Sequence, residues 1–199
     1  MNKIKLLLAT GNNDKIEEIK EILSDLPVEI FTKNDFDDFP DVIEDGKTLE
    51  ENATKKALEI AKKYNFYTLA DDTGFFVSAL DENPGIYAAR YAGKNCSYQD
   101  NRDKLLQEMK GKTDRNAYFE TVVVFASQNG VVAVTSGKVH GTITEAEKGN
   151  GKFGYDPIFM VENTGKTFAE MPAYQKNKIS HRARALQKMK EKIKMEVGK

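Results

Sequence analysis

The chain alternates between short apolar runs and segments in which apolar residues recur every three or four positions. Short apolar runs are typical of buried strands, and the longer period is typical of helices that pack on a core by one face. Strands are predicted over residues 4–9, 28–31, 66–70, 117–126, 131–139 and 158–161. Helices are predicted over residues 15–23, 48–64, 97–109 and 179–197. The pattern therefore predicts an α/β protein.

Polar, turn-forming stretches separate these elements. Residues 34–47 (NDFDDFPDVIEDGK) predict an acidic loop, residues 147–157 (EKGNGKFGYDP) predict a glycine-rich loop, and SQNG at 127–130 predicts a hairpin. The strand–helix–strand order of the first half favours parallel pairing, whereas the hairpin requires antiparallel pairing. We therefore expect a mixed sheet flanked by helices, in a single domain over residues 1–199 without a repeat or a linker.

The composition is ordinary for a globular protein, and the net charge bears on which partners it can bind. Of 199 residues, 40% are hydrophobic and 31% are charged, with 30 basic against 31 acidic side chains. A net charge of −1 gives no electrostatic reason to expect a nucleic-acid or membrane partner, although a local cluster of cations can still bind a small anion. Cys96 is the single cysteine, which favours a reducing cytoplasm, and no apolar segment has the length of a signal core or a membrane span.

The first candidate site is the turn TGNNDK, residues 10–15, between the first strand and the first helix. Free amides at a helix start point outward and carry partial positive charge, so such a turn suits a phosphate. Lys15 adds a cation that opposes the helix dipole, which a bound anion would explain. The alternative is a plain Asn- or Asp-capped helix with Lys15 in solvent, and the GxxxxGK[ST] pattern of a Walker loop is absent from the sequence.

Two adjacent carboxylates, Asp71 and Asp72, directly follow the third predicted strand. Ligands of α/β proteins bind outside the carboxyl ends of strands, so the pair is predicted to lie at a site. Carboxylates there suit Mg²⁺, which takes few protein oxygens, and they also suit a base that activates water. Glu44 in VIEDG is a weaker candidate for a second metal ligand. The alternative for the pair is an Asp-rich turn that includes Thr73 and Gly74.

Aromatic and acidic side chains occur together in GKFGYDP, residues 151–157. Exposed aromatic rings can stack on a purine base, which is worth about 1–3 kcal/mol per base. Asp156 can accept hydrogen bonds from the N–H groups of such a base. The alternative is a loop in which Phe153 and Tyr155 pack on the core.

The segment KNKISHRARAL, residues 176–186, is basic around Ser180, a predicted helix N-cap. His181 and Arg182 then fall in the first helical turn, where cations again oppose the dipole. A polyanion shared with Lys15 would account for both helix starts. The alternative is a basic, solvated helix face.

Together these segments resemble the inosine triphosphate pyrophosphatase family, enzymes that hydrolyse non-standard purine nucleoside triphosphates. The resemblance is carried, in the family's order, by LLLATGNNDKIEEI, EDGKTLEENATKKA, LADDTGFFVSALDENPGIYAARYAG, GKFGYDPIF and TFAEMPAYQKNKISHRARAL. It implies a nucleoside-triphosphate diphosphatase that uses Mg²⁺ and releases a monophosphate and pyrophosphate. It also implies a long mixed sheet in two lobes, with the nucleotide cleft between them, and a homodimer.

The same resemblance implies roles for individual residues. Substrate contacts are implied for Thr10, Gly11, Asn12, Asn13, Asp14, Lys15, Lys56, Thr73, Phe153, Gly154, Tyr155, Asp156, Lys176, His181 and Arg182. Glu44 and Asp72 are implied as Mg²⁺ ligands and Asp72 also as the proton acceptor, with Glu18 near the metal. Thr73 stands where the family often has serine, and Tyr155 stands where some relatives have tryptophan.

The chemistry expected of these residues is attack of water on the α-phosphorus. Asp72, or Asp71 beside it, would orient the water, while lysines and Mg²⁺ would neutralise the leaving pyrophosphate. A donor such as Arg182 or a backbone N–H would meet the keto oxygen of hypoxanthine or xanthine, but would meet another donor in adenine. Two alternatives stay open: a nucleotide sensor without turnover, and a related septum-associated pyrophosphatase that acts on pyrimidine triphosphates.

Overall fold

A computed structural model describes residues 3–198 of the chain. Its strands are β1 (Ile4–Leu8), β2 (Val28–Phe31), β3 (Tyr67–Val77), β4 (Pro84–Gly85), β5 (Asn116–Ser127), β6 (Gly130–Ile143) and β7 (Phe159–Val161). Its helices are α1 (Asn13–Ile22), α2 (Leu49–Tyr64), α3 (Tyr98–Glu108), α4 (Ala173–Ile179) and α5 (His181–Val197). Each predicted strand has a counterpart, and β4 is an added two-residue strand that the pattern of the sequence did not predict.

The strands form one mixed sheet. Their order is β2-β1-β3-β5-β6-β7, with β4 paired to β3. β1 is parallel to both β2 and β3, with Leu6 opposite Ile30 and Leu7 opposite Thr68. β4 is antiparallel to β3, and β7 is antiparallel to β6. The predicted α/β class with a mixed sheet is therefore confirmed.

The described chain divides into two compact units. The first unit contains the residues up to Asp72, Thr121–Gly137 and the residues from Arg182 onward. The second unit contains Thr73–Glu120 and Lys138–His181. Because the divisions fall within β3, β5, β6 and the first turn of α5, no linker marks them in the sequence. A single domain with a nucleotide cleft between two lobes stays a prediction.

The core of the first unit is mainly aliphatic. Leu6 and Leu8 share one face of β1 and pack in the same cluster as Ile16 and Ile19 of α1. α5 adds side chains spaced three or four residues apart, namely Ala185, Leu186, Met189 and Ile193. This packing anchors α1 and α5, whose first turns carry candidate site residues.

The core of the second unit is rich in aromatic rings. Phe75 of β3 stacks on Phe119 of β5 with ring centroids 4.2 Å apart. Phe159 meets these two rings edge-on, at 5.7 and 4.8 Å respectively, and lies 5.6 Å from Phe168. Stacked and edge-on geometries stabilise aromatic pairs beyond the area they bury, so this cluster is a rigid support for the loops around it.

The last predicted helix, residues 179–197, is in fact the end of one helix followed by a second. α4 ends at Ile179 and α5 begins at His181, because Ser180 between them is extended with φ −64° and ψ 158°. Ser180 immediately precedes α5, which is the position predicted for an N-cap. Among residues 3–198, no helix combines the length and the apolar character needed to cross a membrane.

Candidate active site

The acidic pair lies within a strand. β3 extends to Val77, so the expectation that it ends before Asp71 is wrong. Asp71 and Asp72 are 2% and 7% exposed, and because side chains alternate along a strand they point to opposite faces of β3. Two buried carboxylates on opposite faces need separate sets of partners, since an unpaired buried charge is costly.

Asp71 is held between two helix starts of the first unit. Its carboxylate pairs with Lys15 Nζ at 3.0 Å and with Arg182 Nε at 3.2 Å, and Arg182 also pairs with Glu18. Burial alone would raise the pKa of Asp71, but the surrounding cations, chiefly Lys15 and Arg182, hold that pKa well below its usual range. Asp71 therefore stays ionised and ties β3 to α1 and α5.

These ion pairs explain the cations at both helix starts. Lys15 and Arg182 lie in the first turns of α1 and α5, where they oppose the helix dipoles, and each is compensated by Asp71. Both cations pair with the same carboxylate of the protein, and binding of a polyanion by these two helix starts stays a prediction. Burial lowers the pKa of Lys15, and Asp71 partly offsets that shift.

Asp72 belongs to a different group, formed with side chains of α2 and the acidic loop. Asn52 Nδ2 donates to Asp72 Oδ2 at 3.1 Å. Lys56 Nζ lies 2.7 Å from Glu44 Oε1 and donates to the carbonyl oxygen of Asp71, also at 2.7 Å. Burial raises the pKa of Asp72, and the nearby Glu44 adds to that rise. Burial would lower the pKa of Lys56, but the carboxylates around it raise that pKa, so Lys56 stays charged.

The oxygen donors of Glu44 and Asp72 fit a magnesium ion. The residues around Asp71 and those around Asp72 together form an ionic group in the first unit. It contains four carboxylates, Glu18, Glu44, Asp71 and Asp72, and three cations, Lys15, Lys56 and Arg182. Within residues 3–198 there is no cluster of three or more acidic, histidine or cysteine side chains that could hold a metal. One or two carboxylates are nevertheless what Mg²⁺ takes when water and phosphate complete its shell.

The turn before α1 has the local structure predicted for it. The amide of Asn12 donates to Thr10 Oγ1 at 3.2 Å, and Asn12 Oδ1 in turn accepts from the amide of Lys15 at 3.2 Å. Asn12 is thus the N-cap of α1, as the capped-helix alternative requires. Gly11, Asn13 and Asp14 are exposed beside this cap. Phosphate binding by the turn stays a prediction.

In the second unit, a lysine of α4 forms an ion pair with Asp156 in the loop of residues 151–157. Lys176 Nζ lies 2.7 Å from Asp156 Oδ2, and both side chains are buried. The same ammonium lies 4.6 Å from the centroid of the Phe153 ring and 5.7 Å from that of Phe168. The edge of Tyr98 meets Phe153 at 5.6 Å, so the ring has a defined orientation while remaining partly exposed. Phe153 is therefore an aromatic of this loop that a base could still reach.

Tyr155 and His181 are core side chains of the second unit. Tyr155 is 4% exposed, packs on Phe75 at 4.7 Å and donates its hydroxyl to the carbonyl of Ala88 at 2.8 Å. Burial raises the pKa of Tyr155 far above its usual value. His181 is 3% exposed and stacks on Phe119 at 4.5 Å. For Tyr155 the structure therefore supports packing on the core, the alternative given by the sequence, over an exposed stacking surface.

The remaining predicted site residues are Arg182, Thr73 and Gly154. Arg182 is 1% exposed and pairs with Asp71 and Glu18, so it belongs to the ionic network, and its donation to a base stays a prediction. Thr73 follows Asp72 on β3 and is half-buried, and Gly154 is half-buried beside Phe153. The structure thus assembles an ionic group in the first unit and a lysine–aspartate–phenylalanine group in the second.

Two residues of the site were missed by the sequence analysis. Asn52 accepts from the amide of Gly46 at 2.8 Å while donating to Asp72, and it links the acidic loop to β3. Arg102 of α3 is 3% exposed and donates to the carbonyl of Gly154 at 2.8 Å. Both are polar side chains on the apolar stripe of an amphipathic helix, a signal that could have revealed them.

Sequence comparison finds relatives along nearly the whole chain. The profile of the Ham1 family matches residues 6–192. A protein of Geobacter sulfurreducens named dITP/XTP pyrophosphatase is 45% identical over 191 residues, which cover 95% of this chain and 96% of that protein. A protein of Clostridium perfringens with the same name is 47% identical over 198 residues, which cover 96% of this chain and 97% of that protein.

Solved structures give the same result. The Ham1 protein of Staphylococcus aureus is 38% identical with a TM-score of 0.86, and the alignment covers 96% of this chain and 99% of the other. A HAM1 protein of Coxiella burnetii is 34% identical with a TM-score of 0.88 and the same coverage. The resemblance identified from the motifs is therefore confirmed.

Proposed function

The chain belongs to the Ham1 family, and from this we propose that it hydrolyses dITP, XTP and the related ITP to the nucleoside monophosphate and pyrophosphate. The observation that carries the proposal is 45–47% identity, over almost the full length, to relatives named dITP/XTP pyrophosphatase. Such an enzyme removes non-standard purine nucleotides from the nucleotide pool.

The ionic group of the first unit supplies residues suited to the reaction. Asp72 is buried, and its pKa is raised by burial, which favours acceptance of a proton from the attacking water. The sequence left the role of proton acceptor open between the two aspartates, and we propose Asp72 because Asp71 is already held in two ion pairs. Lys56 stays charged beside Asp72 and can neutralise phosphate oxygens. Positioning and electrostatics of this kind supply most of the catalysis in phosphoryl transfer.

We propose Mg²⁺ as the cofactor and Glu44 and Asp72 as its protein ligands. The three cations of the ionic group, Lys15, Lys56 and Arg182, are paired with carboxylates. They leave the charge of a triphosphate incompletely neutralised. When bound, Mg²⁺ would supply the missing positive charge at the phosphate oxygens.

Base selection is proposed for the second-unit group of Phe153, Asp156 and Lys176. The partly exposed Phe153 ring offers a stacking surface, and Lys176 holds the Asp156 carboxylate in one place. Backbone N–H groups of the loop would meet the keto oxygen of hypoxanthine or xanthine. Adenine carries an amino group at that position, which cannot accept a hydrogen bond from these N–H groups. Each buried donor left without an acceptor weakens binding by about 1–3 kcal/mol.

The setting proposed for this activity is a homodimer in the cytoplasm. A lone cysteine fits a reducing compartment. The dimer follows from the family resemblance, and light scattering of the purified protein, which should give twice the chain mass of 22.4 kDa, would test it.

Pyrophosphate release should be fastest from ITP, dITP and XTP. With Mg²⁺ present, we expect kcat/KM for these nucleotides to exceed that for ATP by at least about a hundredfold, because adenine lacks the keto oxygen and leaves the donors of the site unpaired. GTP shares the keto oxygen, and its rate is measured in the same assay. Pyrophosphate and orthophosphate are measured separately. Orthophosphate as the first product, or equal rates on all five nucleotides, would refute the proposal.

Two controls separate the alternative functions. A septum-associated pyrophosphatase would prefer dTTP and UTP, so both are included in the same assay. A sensor would bind dITP without releasing pyrophosphate, so the dissociation constant for dITP is measured together with the rate.

Replacing Glu44 with glutamine should raise the Mg²⁺ concentration required for half-maximal activity. Loss of one of two proposed carboxylate ligands should raise it by at least about tenfold. Asp45→Asn is the matched control, because the neighbouring Asp45 also pairs with a lysine, Lys55, at 2.7 Å but has a side chain that is 66% exposed. Its Mg²⁺ requirement should not change. If Glu44→Gln behaves like Asp45→Asn, Glu44 is not a metal ligand.

A further inference from the structure

A buried arginine of α3 forms hydrogen bonds with the backbone of the loop that carries Phe153. Arg102 Nη1 donates to the carbonyl oxygen of Gly154 at 2.8 Å and lies 3.4 Å from that of Lys152. Arg102 is 3% exposed, so these bonds are made away from solvent. Both carbonyls flank Phe153, whose ring also meets Tyr98 from the same helix. α3 therefore contacts this segment through both backbone and ring.

The guanidinium is itself held in place by two acceptors. Its Nε donates to Glu147 Oε1 at 2.7 Å, and its Nη2 donates to Gln99 Oε1 at 2.6 Å. Gln99 Nε2 also donates to Glu147 Oε1 at 2.7 Å, which closes the network. Planar guanidinium donors in a fixed fork lose little freedom when they bind, so this arrangement suits a rigid clamp.

The segment that Arg102 binds has a sequence that allows many backbone conformations. Residues 149–154 include three glycines, and glycine loses more conformational freedom on ordering than any other residue. Gly154 has φ +49°, in the left-handed region, and its carbonyl is the nearer of the two that Arg102 holds. Fixing this residue sets the orientation of the chain between Phe153 and Asp156.

We propose that Arg102 is a positioning residue for base recognition, acting by holding Phe153 and the adjoining backbone in the orientation that receives a purine. The inference rests on the proposed nucleotide hydrolysis and deepens it. Arg102 forms hydrogen bonds with Gly154 and Glu147, which belong to the second unit. The carboxylates and cations assigned to the reaction lie in the first unit. Its loss should therefore weaken binding of the base and leave the chemical step nearly unchanged.

The test compares two conservative variants of the second unit. Arg102→Lys keeps the positive charge beside Glu147 but loses the fork of donors. Arg115→Lys is the matched control, because Arg115 Nη2 donates to the carbonyl of Thr144 at 2.7 Å and its Nη1 lies 3.3 Å from that of Met109, but it makes no such bond to residues 152–154. KM and kcat for dITP are measured together with the inhibition constant of tripolyphosphate, a competitor without a base.

For Arg102→Lys we expect KM for dITP to rise about tenfold, which corresponds to losing roughly one charge-assisted hydrogen bond. The value of kcat should stay within about twofold and the inhibition constant of tripolyphosphate should not change. Arg115→Lys should leave all three constants near wild type. Glu147→Gln, which removes one support of the guanidinium, should raise KM in the same direction by a smaller factor.

The proposal is overturned if KM is unchanged in Arg102→Lys, or if KM and the tripolyphosphate constant rise together, which would indicate general loosening of the protein. Amide hydrogen exchange over residues 150–154 gives a readout that does not need turnover: it should accelerate in Arg102→Lys and not in Arg115→Lys. A wild-type protein that releases no pyrophosphate from dITP would refute the proposed function instead, and the two failures are thus distinguishable.

Discussion

Replacing Asp72 with asparagine should lower kcat for dITP by about 10²–10⁴-fold, the contribution typical of a positioned general base. Asparagine keeps the size of the side chain and can still meet Asn52, but it cannot accept a proton from water. Asp72 is buried and burial raises its pKa, which makes it a better proton acceptor than an exposed aspartate. Pyrophosphate release under single-turnover conditions measures the effect, and competition binding shows whether dITP still binds.

The Mg²⁺ dependence of the same variant separates the two roles proposed for Asp72. A pure proton acceptor would lose rate with an unchanged Mg²⁺ requirement, whereas a metal ligand would need more Mg²⁺ to reach its residual maximum. Thermal unfolding serves as the control, since the variant must remain folded at the assay temperature. Wild-type turnover in Asp72→Asn would remove Asp72 from the mechanism.

Replacing Asp71 with asparagine should destabilise the protein by about 3–5 kcal/mol, the cost typical of breaking a buried ion pair. Asp71 lies between Lys15 and Arg182 at 3.0 and 3.2 Å, and its replacement removes the negative charge that these two neighbouring cations share. Adding Lys15→Met to this variant should recover part of the loss, because it removes one of the two charges. Urea unfolding, followed by the far-ultraviolet signal, measures both changes.

Asp25→Asn is the matched control for this stability measurement. Asp25 also pairs with a lysine of the first unit, Lys190, but its side chain is 59% exposed. Exposed pairs contribute little because water and salt screen them, so the unfolding midpoint should barely move. If Asp71→Asn has as small an effect as Asp25→Asn, the buried network is not a source of stability.

Most of the secondary structure could be predicted from the sequence because local patterns and packing agree. β2 begins and ends at the predicted residues, and α2 begins directly after Thr48, whose side chain accepts from the amide of Glu51. Failures occurred where a distant partner overrides the local pattern. β3 continues through its two aspartates because residues far along the chain neutralise them, and no local pattern reports those partners.

The site was predicted as a set of motifs, but the roles of single residues depended on contacts that the sequence does not show. Lys15 and Arg182 were both recognised as unusual at helix starts, and the fold shows that both pair with Asp71, a partner that no local pattern indicates. For Tyr155 the sequence left both stacking on a base and packing on the core open, and the fold places its ring in the core of the second unit. Periodicity shows that a side chain faces inward, and only the fold shows what it meets there.

The apolar stripe of α2 limits how far this protein can be engineered for heat resistance. Its buried positions include Asn52 and Lys56 among alanines, leucine and isoleucine. A design procedure that scores packing alone would replace both with aliphatic side chains and would rank the products as better folded. Such variants would lack the amide that donates to Asp72 and the ammonium beside Glu44. Heat-resistant variants with substitutions at either position should therefore also be assayed for turnover.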